Sequence, residues 1–212
     1  HDGLDRSSPD TIASLVDAWL QRLKERNYSE RTLSMNRGAL RQFLEWSEQR
    51  DLRRPEQFTK THLESFQRFL WRWKKTNGEP LGISTQRQRI GAIQRLFAHL
   101  CRQNYLPANP ASELELPRMK QKALPKGLNR EELSTLLNVP DVTDLLGVRD
   151  RAILETLYAS ALRRSELINL DLQDVDLQAC TLHIREGKGG KHRLLPIGRT
   201  AVRWLQQYLQ QT

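Results

Sequence analysis

The sequence predicts a mainly α-helical protein: a four-helix bundle, then a smaller α+β domain built around a β-hairpin. Three observations carry this. Residues up to about Gln103 show only helical periodicity, a proline-rich basic stretch follows, and the period shortens to that of strands only near Thr181.

In the first part, Ser8-Pro9 reads as a helix start, with the hydroxyl as cap and proline at the first helical position. Ile12, Leu15, Val16, Trp19, Leu20 and Leu23 then recur at helical spacing, and Asn27 can end the run. A second helix begins near Ser29 and carries Leu33, Leu40, Phe43 and Leu44. Arg53-Arg54-Pro55 is a loop. Thr59 caps a third helix with Leu63, Phe66, Leu70 and Trp73 on its apolar face. Asn77-Gly78, Pro80 and Gly82 break the chain before a fourth helix, which starts near Ser84 and buries Ile90, Ile93, Phe97 and Leu100. The five tryptophans mostly fall on core spacing. Four amphipathic helices with short connections make a bundle over 1–104.

From 105 to 127 the sequence reads as an extended, exposed, basic linker. Leu106-Pro107-Ala108-Asn109-Pro110 cannot continue a helix. The second domain, 128–212, restarts at Asn129, an N-cap with Glu132 three residues on. A helix from about Asp144 to Ala159 is expected to bury Leu146, Ile153, Leu154, Leu157 and Tyr158, and a short one holds Arg164 to Leu170. Thr181–Arg185 and His192–Ile197 are strand candidates around a glycine-rich turn. Thr200 is expected to cap a last helix with Ala201, Trp204, Leu205 and Tyr208 inward.

The 212 residues carry a net charge of +9. Basic residues outnumber acidic ones 19 to 14 before Pro117 and 15 to 11 after it, so both halves favour a polyanion. Cys101 and Cys180 have neither metal-ligand spacing nor the look of a disulfide framework, which fits a reducing cytoplasm. No apolar run approaches the roughly 20 residues of a membrane span, and no signal peptide is evident.

Two segments carry chemistry. Arg163 and Glu166 lie one helical turn apart. That spacing is also that of an ordinary surface ion pair; the functional reading is a guanidinium oriented by Glu166 to present its planar fork to phosphate oxygens. About twenty residues on, Glu186-Gly187-Lys188-Gly189-Gly190-Lys191-His192-Arg193 is a turn that projects lysines. It is no P-loop, because His192 and a strand follow where that motif has Ser or Thr and a helix. Two fixed cations brought together suit one phosphate group. In the first domain Arg37 and Arg41 lie one turn apart, and Gln86, Arg87, Arg89 and Arg95 crowd the polar sides of the fourth helix. From Ile83 to Gln103 there are four arginines and no acid, which fits a DNA-groove binder. Lys126, Arg164, Lys191 and Arg193 are further candidate DNA contacts. His99 and Arg102 share a His-x-x-Arg spacing, but His99 sits beside the core stripe and reads as a half-buried helix residue. No metal or nucleotide site is expected.

At these residues the chain resembles the tyrosine site-specific recombinases of the Xer and phage-integrase type. The likeness includes Asn109-Pro110-Ala111, the entry Ala123-Leu124-Pro125-Lys126-Gly127-Leu128-Asn129-Arg130-Glu131-Glu132-Leu133, and Arg149 to Leu154 through Ala161-Leu162-Arg163-Arg164-Ser165-Glu166-Leu167. Leu170 to Asp176 and the hairpin through Leu195-Pro196-Ile197 follow in order. The resemblance implies a helical, SAM-like core-binding domain over 1–104 and the N-terminal part of an α+β catalytic domain over 128–212. It implies that Arg163 binds the scissile phosphate, that Glu166 supports it, and that Lys188 donates a proton to the leaving 5′ oxygen. Ala161 stands where the family usually has glycine. The family forms a 3′-phosphotyrosyl intermediate without cofactor, metal or ATP. Its members work as homo- or hetero-tetramers on double-stranded recombination sites, in the bacterial cytoplasm and on the nucleoid.

The family's His-x-x-Arg motif, a further His or Trp and the nucleophilic tyrosine are expected later than Thr212. Tyr28 and Tyr105 belong to the first domain, and Tyr158 and Tyr208 read as helix core positions. The expectation is therefore a recombinase truncated in its catalytic domain, one that binds DNA without transferring strands. The alternative is a non-catalytic regulator or decoy of recombination sites.

Overall fold

The computed structural model describes residues 4–6, 8–119, 126–185 and 192–212. The chain forms two compact units, divided between Lys122 and Ala123.

The first unit contains α1 (Ile12–Glu25), α2 (Glu30–Glu48), α3 (Lys60–Arg72) and α4 (Ile83–Arg102). Its first helix starts later than Ser8-Pro9 suggested. Thr11 is the N-cap: its extended backbone and its hydroxyl, which accepts from the Ser14 N–H at 3.3 Å, satisfy the first turn. Ser8 instead closes a turn, its carbonyl accepting from the Thr11 amide at 3.2 Å. Ser29 and Thr59 cap α2 and α3 as expected. Asn27, just beyond α1, takes the left-handed conformation at φ 56°.

The α2 helix packs on α1 and α4, and α4 packs on α3. At the centre Phe43 meets Phe66 edge-on at 5.2 Å and Phe97 edge-on at 6.1 Å, and Trp46 meets Phe66 at 5.3 Å. Leu106, Ala111 and Leu114 are buried in this same core. The first half of the presumed linker is thus part of the bundle, because its prolines break the helix without stopping the apolar residues from covering α3 and α4. Two tryptophans escape the core: Trp71 is 68% and Trp73 40% exposed. Trp73 is the non-helical C-cap of α3, so its side chain leaves the apolar stripe.

The second unit contains α5 (Arg130–Leu137), α6 (Leu145–Ser160), α7 (Arg164–Ile168), β1 (Val175–Asp176), β2 (Thr181–Ile184), β3 (Arg193–Pro196) and α8 (Arg199–Gln211). The strands form one antiparallel sheet in the order β1-β2-β3, with Leu182 opposite both Val175 and Leu195, and Ile184 opposite Arg193. Strand β1 adds to the expected hairpin. The Asn129–Glu132 capping box is present, both bonds at 2.8 Å. The last helix is capped by the extended Gly198, and Thr200 lies inside it.

The face that α6 buries differs from the expected stripe. Val148, Ala152, Glu155 and Thr156 are buried, whereas Leu146 and Tyr158 are 59% and 62% exposed. Leucines occur all round this helix, so period alone could not choose the inner face; packing against α8 does. Gly147 is fixed by contact: a β-carbon there would lie 1.6 Å from the Asp141 carbonyl oxygen. The core proper comprises Leu162, Leu182, Ile184, Ile197, Ala201 and Val202.

Candidate functional site

The site begins where α6 ends. Ala161 adopts a left-handed conformation (φ 51°, ψ 33°), and its amide donates to the Leu157 carbonyl at 3.0 Å. This turn buries Leu162 and makes Arg163 the extended N-cap of α7. Glu166, at the third position of α7, reaches back and accepts from the Arg163 amide at 3.0 Å. A carboxylate there also complements the free N–H groups of the helix start.

Two guanidinium groups converge on that carboxylate. Arg163 donates from Nη1 to Oε1 at 2.7 Å. Arg193, on β3, grips it with both terminal nitrogens, Nη1 to Oε1 at 3.0 Å and Nη2 to Oε2 at 2.7 Å. The Glu166 side chain is 3% exposed, that of Arg193 33% and that of Arg163 57%. The Arg193 guanidinium and the Arg163 amide hold the Glu166 carboxyl at about 2, against the opposing effect of burial. Glu166 in turn raises Arg193 above its ordinary value. Two cations and one anion leave a net charge of +1. Arg163 is the more exposed of the two arginines and gives one side-chain nitrogen to Glu166, which leaves its remaining donors open to solvent, a geometry suited to an oxyanion.

The glycine-rich turn, with Lys188 and Lys191, lies outside the described residues. Both of its flanks are tied down. Where β2 ends, Arg185 Nε lies 2.5 Å from Oδ1 of the buried Asp174. Where β3 begins, Arg193 holds Glu166. Between these ties opens a 220 Å³ cleft lined by Glu166, Asp171, Asp174, His183 and Arg185, among others. His183 and His192 stand with ring centroids 6.2 Å apart. Among the described residues, no three His, Cys, Asp or Glu side chains group closely enough to hold a metal ion.

The other candidates fall into two groups. Arg37, Arg41, Lys126 and Arg164 are exposed, Arg41 with Nε on Glu45 at 2.9 Å. The α4 residues are more engaged than their spacing suggested. Gln86 is 5% exposed and donates to the Leu81 carbonyl at 2.8 Å, so it braces the start of α4 and is not at a surface that could meet a base. Arg87 donates to the Pro117 carbonyl at 2.6 Å, Arg89 to the Gln42 amide oxygen and Arg95 to that of Asn36 at 3.0 Å. Burial lowers both Arg89 and Arg95 from the ordinary arginine value. His99 is half-buried as expected and is lowered by burial and by nearby Arg22 and Arg102. The grip of Arg193 on Glu166, 27 residues away, is a contact that helical spacing could not find. The weak clue was an arginine at the start of a strand whose partner strand ends in a buried apolar residue.

Residues 126–212 match the phage integrase family, and residues 15–106 match the phage integrase N-terminal SAM-like domain. The chain is 37% identical to tyrosine recombinase XerC 2 of Ralstonia nicotianae, covering 98% of this chain and 61% of that protein. It is 34% identical to tyrosine recombinase XerD of Vibrio cholerae, covering 96% and 64%. The chain thus spans less than two thirds of the length of these relatives. Among solved structures, XerH site-specific recombinase bound to a palindromic difH substrate superposes with a TM-score of 0.62 at 21% identity, over 92% of this chain and 56% of that one. A lambda integrase tetramer bound to a Holliday junction gives 0.66 at 14%, over 93% and 56%. With two family domains matched in order and relatives above 30% identity along nearly its whole length, the chain belongs to the tyrosine site-specific recombinases.

Proposed function

We propose that this chain serves site-specific DNA recombination, by cleavage and rejoining through a 3′-phosphotyrosyl intermediate in the whole protein. The observation that carries the reading is the pair of arginines sharing the buried Glu166 carboxylate, with one arginine left facing outward. Arg163 binds the scissile phosphate and stabilises the charge that grows on it during transfer. Glu166 holds Arg163 in place. Lys188, on the turn whose flanks Arg185 and Arg193 anchor, protonates the leaving 5′ oxygen. The bond energy stays in the phosphotyrosine, so no nucleotide is consumed.

The first unit supplies duplex binding through Arg37, Arg41, Arg87, Arg89 and Arg95. The second adds Lys126, Arg164 and Lys191. The partner is a double-stranded recombination site in the bacterial cytoplasm, and strand exchange takes place between four protomers. By themselves these 212 residues bind DNA without transferring strands. Tyr158 lies on the exposed face of α6, and Tyr208 is half-buried beside Leu205 and Leu209. Neither makes a hydrogen bond to Arg163, Glu166 or Arg193.

The test is a nicked suicide duplex drawn from those the chain enriches out of a randomised pool. The chain is expected to enrich a common sequence and to shift it on a gel, with no covalent adduct. An adduct at Tyr158 or Tyr208 defeats the non-transferring reading; failure to retain any duplex at low salt defeats the recombination reading itself.

A further inference from the structure

We propose that the end of α3 and the turn after it form a second contact with duplex DNA, with Arg68, Arg72 and Lys74 on phosphates and the Trp71 indole against the sugar and base edges of a groove. This rests on the DNA-binding reading and adds a surface apart from α2 and α4.

The stretch 71–80 is exposed at every position, although it contains two tryptophans. Trp73 is accounted for by the fold, since its ring packs on Phe69 at 5.3 Å. Trp71 is not. It is 68% exposed and, among the described residues, has neither a ring partner nor a cation over its face. By contrast Trp19 and Trp46 are 5% and 1% exposed. An indole left in water forgoes much of the stabilisation that burying its large apolar surface would give.

Its neighbours define what it meets. From Ser65 to Gly78 there are four basic residues and no acid. Arg68, Trp71 and Arg72 lie at i, i+3 and i+4, on one face of α3. Lys75 is paired with Glu79 at 3.1 Å, while Arg68, Arg72 and Lys74 have no ion pair among the described residues. The turn is built, not slack. Lys74 bridges Pro80, the Lys75 amide donates to the Glu79 carbonyl at 2.8 Å, and the Gly78 amide donates to the Lys75 carbonyl at 2.8 Å. Gly78 sits at φ 81°, and the buried Leu81 closes the turn by donating to the Trp73 carbonyl at 3.3 Å. The Lys74 backbone is therefore fixed before any ligand arrives, so only its side chain remains to be ordered on binding.

Charge selects the ligand. A second copy of this chain carries +9 and the same cations, so it is repelled. A polyanion with an apolar groove edge satisfies both the cations and the indole. The turn also leads directly into α4, whose sequence carries no acid, so the two cationic surfaces are continuous along the chain.

The experiment uses the full chain, a 30-base-pair mixed-sequence duplex labelled for fluorescence anisotropy, and a salt series. All four side chains are exposed, so the variants are expected to keep the parent melting temperature. The triple variant Arg68→Ala, Arg72→Ala, Lys74→Ala is expected to flatten the slope of log affinity against log salt by about 2 to 3, the loss for three phosphate contacts. Trp71→Ala is expected to weaken binding about threefold to tenfold with the slope kept, because the indole buries apolar surface against the groove and carries no charge. Unchanged affinity and slope in both variants overturn the proposal. So does a Trp71→Ala chain that binds duplex normally but loses capture of an acidic protein. A parent chain that binds no duplex overturns the DNA reading, and this contact with it.

Discussion

The two units bury their polar groups in opposite ways. In the first, the buried side chains that meet arginines are neutral amides: Asn36 faces Arg95, and Gln42 faces Arg89. In the second they are carboxylates: Glu155 faces Arg151 at 2.9 Å, Asp174 faces Arg185, and Glu166 faces Arg163 and Arg193. An amide positions a guanidinium and leaves its whole charge for a partner. A carboxylate positions it more firmly and cancels one charge. The first arrangement suits a surface that tracks a polyanion. The second suits a site where a cation must hold its geometry, and there the doubling of arginines on Glu166 restores the lost charge.

The units also differ in what holds them together, which sets the largest expected effect. The first has a continuous core of aromatic and aliphatic side chains from every helix, while the second, among the described residues, has a small aliphatic cluster of Leu162, Leu182, Ile184, Ile197, Ala201 and Val202 at its sheet and last helix. Phe43 is 0% exposed and touches four aromatic rings. Phe43→Ala is expected to cost the first unit about 4 kcal/mol in urea denaturation. A loss below about 1.5 kcal/mol, within reach of a repacked core, would mean that the aromatic cluster is not what the first unit stands on.

The same contrast explains what could be read from the sequence. Helices α1 to α4 were legible because each has one apolar stripe and a capping hydroxyl or glycine close by; Leu33, Leu40, Phe43 and Leu44 are buried as their spacing implied. Helix α6 misled because leucines surround it, and Glu155 turns inward only because Arg151 accompanies it and stacks over Trp204 at 5.0 Å. Arg163 and Glu166 were legible as an i, i+3 pair. Arg193 was not, since its tie to Glu166 depends on how β3 lies beside α7. Gln86 failed for a related reason: local spacing put it on a polar side, but the buried carbonyl of Leu81, in the loop just before α4, takes its amide as a donor and draws it inside.

Arg193→Ala tests the carboxylate side of the comparison. Glu166 keeps its charge because Arg193 contributes most to holding its carboxyl at about 2. A folded-state value below the unfolded one stabilises the fold fully above the unfolded pKa, near 4.5, and loses that contribution as pH falls toward 2. Without Arg193 the Glu166 carboxyl is expected to rise toward 4.5, so the variant is less stable than the parent near neutral pH but loses less stability than the parent as pH falls from 6 to 3. Carboxyl-carbon NMR titration of Glu166, with melting followed between pH 6 and 3, reads both. An unchanged titration in the variant would mean that the Arg163 amide alone fixes the carboxylate. The parent chain is expected to keep the Glu166 charge across that whole range.

Gln42→Glu converts the first unit's device into the second's. Arg89 would then face a carboxylate and surrender its charge locally, with little change in shape. Duplex binding is expected to fall several-fold at low salt, with the salt slope reduced by about 1, the share of one phosphate. If affinity and slope stay as they are while Arg87→Ala lowers both, then Arg89 serves the packing of α2 on α4 and not the surface. That result would confine the DNA-facing part of α4 to Arg87 and Arg95.

The smallest effect concerns the hinge on which the site is mounted. Ala161 ends α6 at φ 51°, a conformation that costs a residue with a β-carbon about 1 kcal/mol relative to glycine. The resemblance places glycine at this position, and the geometry gives the reason. Ala161→Gly relieves that strain but gives the unfolded chain more freedom, which takes back part of the gain. The net expectation is about 0.5 kcal/mol of added stability, a rise of a few degrees in the melting of the second unit. Arg163 is fixed from the other side by Glu166, so the Glu166 titration and the exposed Arg163 guanidinium should be unchanged. A destabilised Ala161→Gly chain would show that the methyl group contributes packing worth more than the strain it causes. In that case the departure from glycine is a compensated choice and not a tolerated cost.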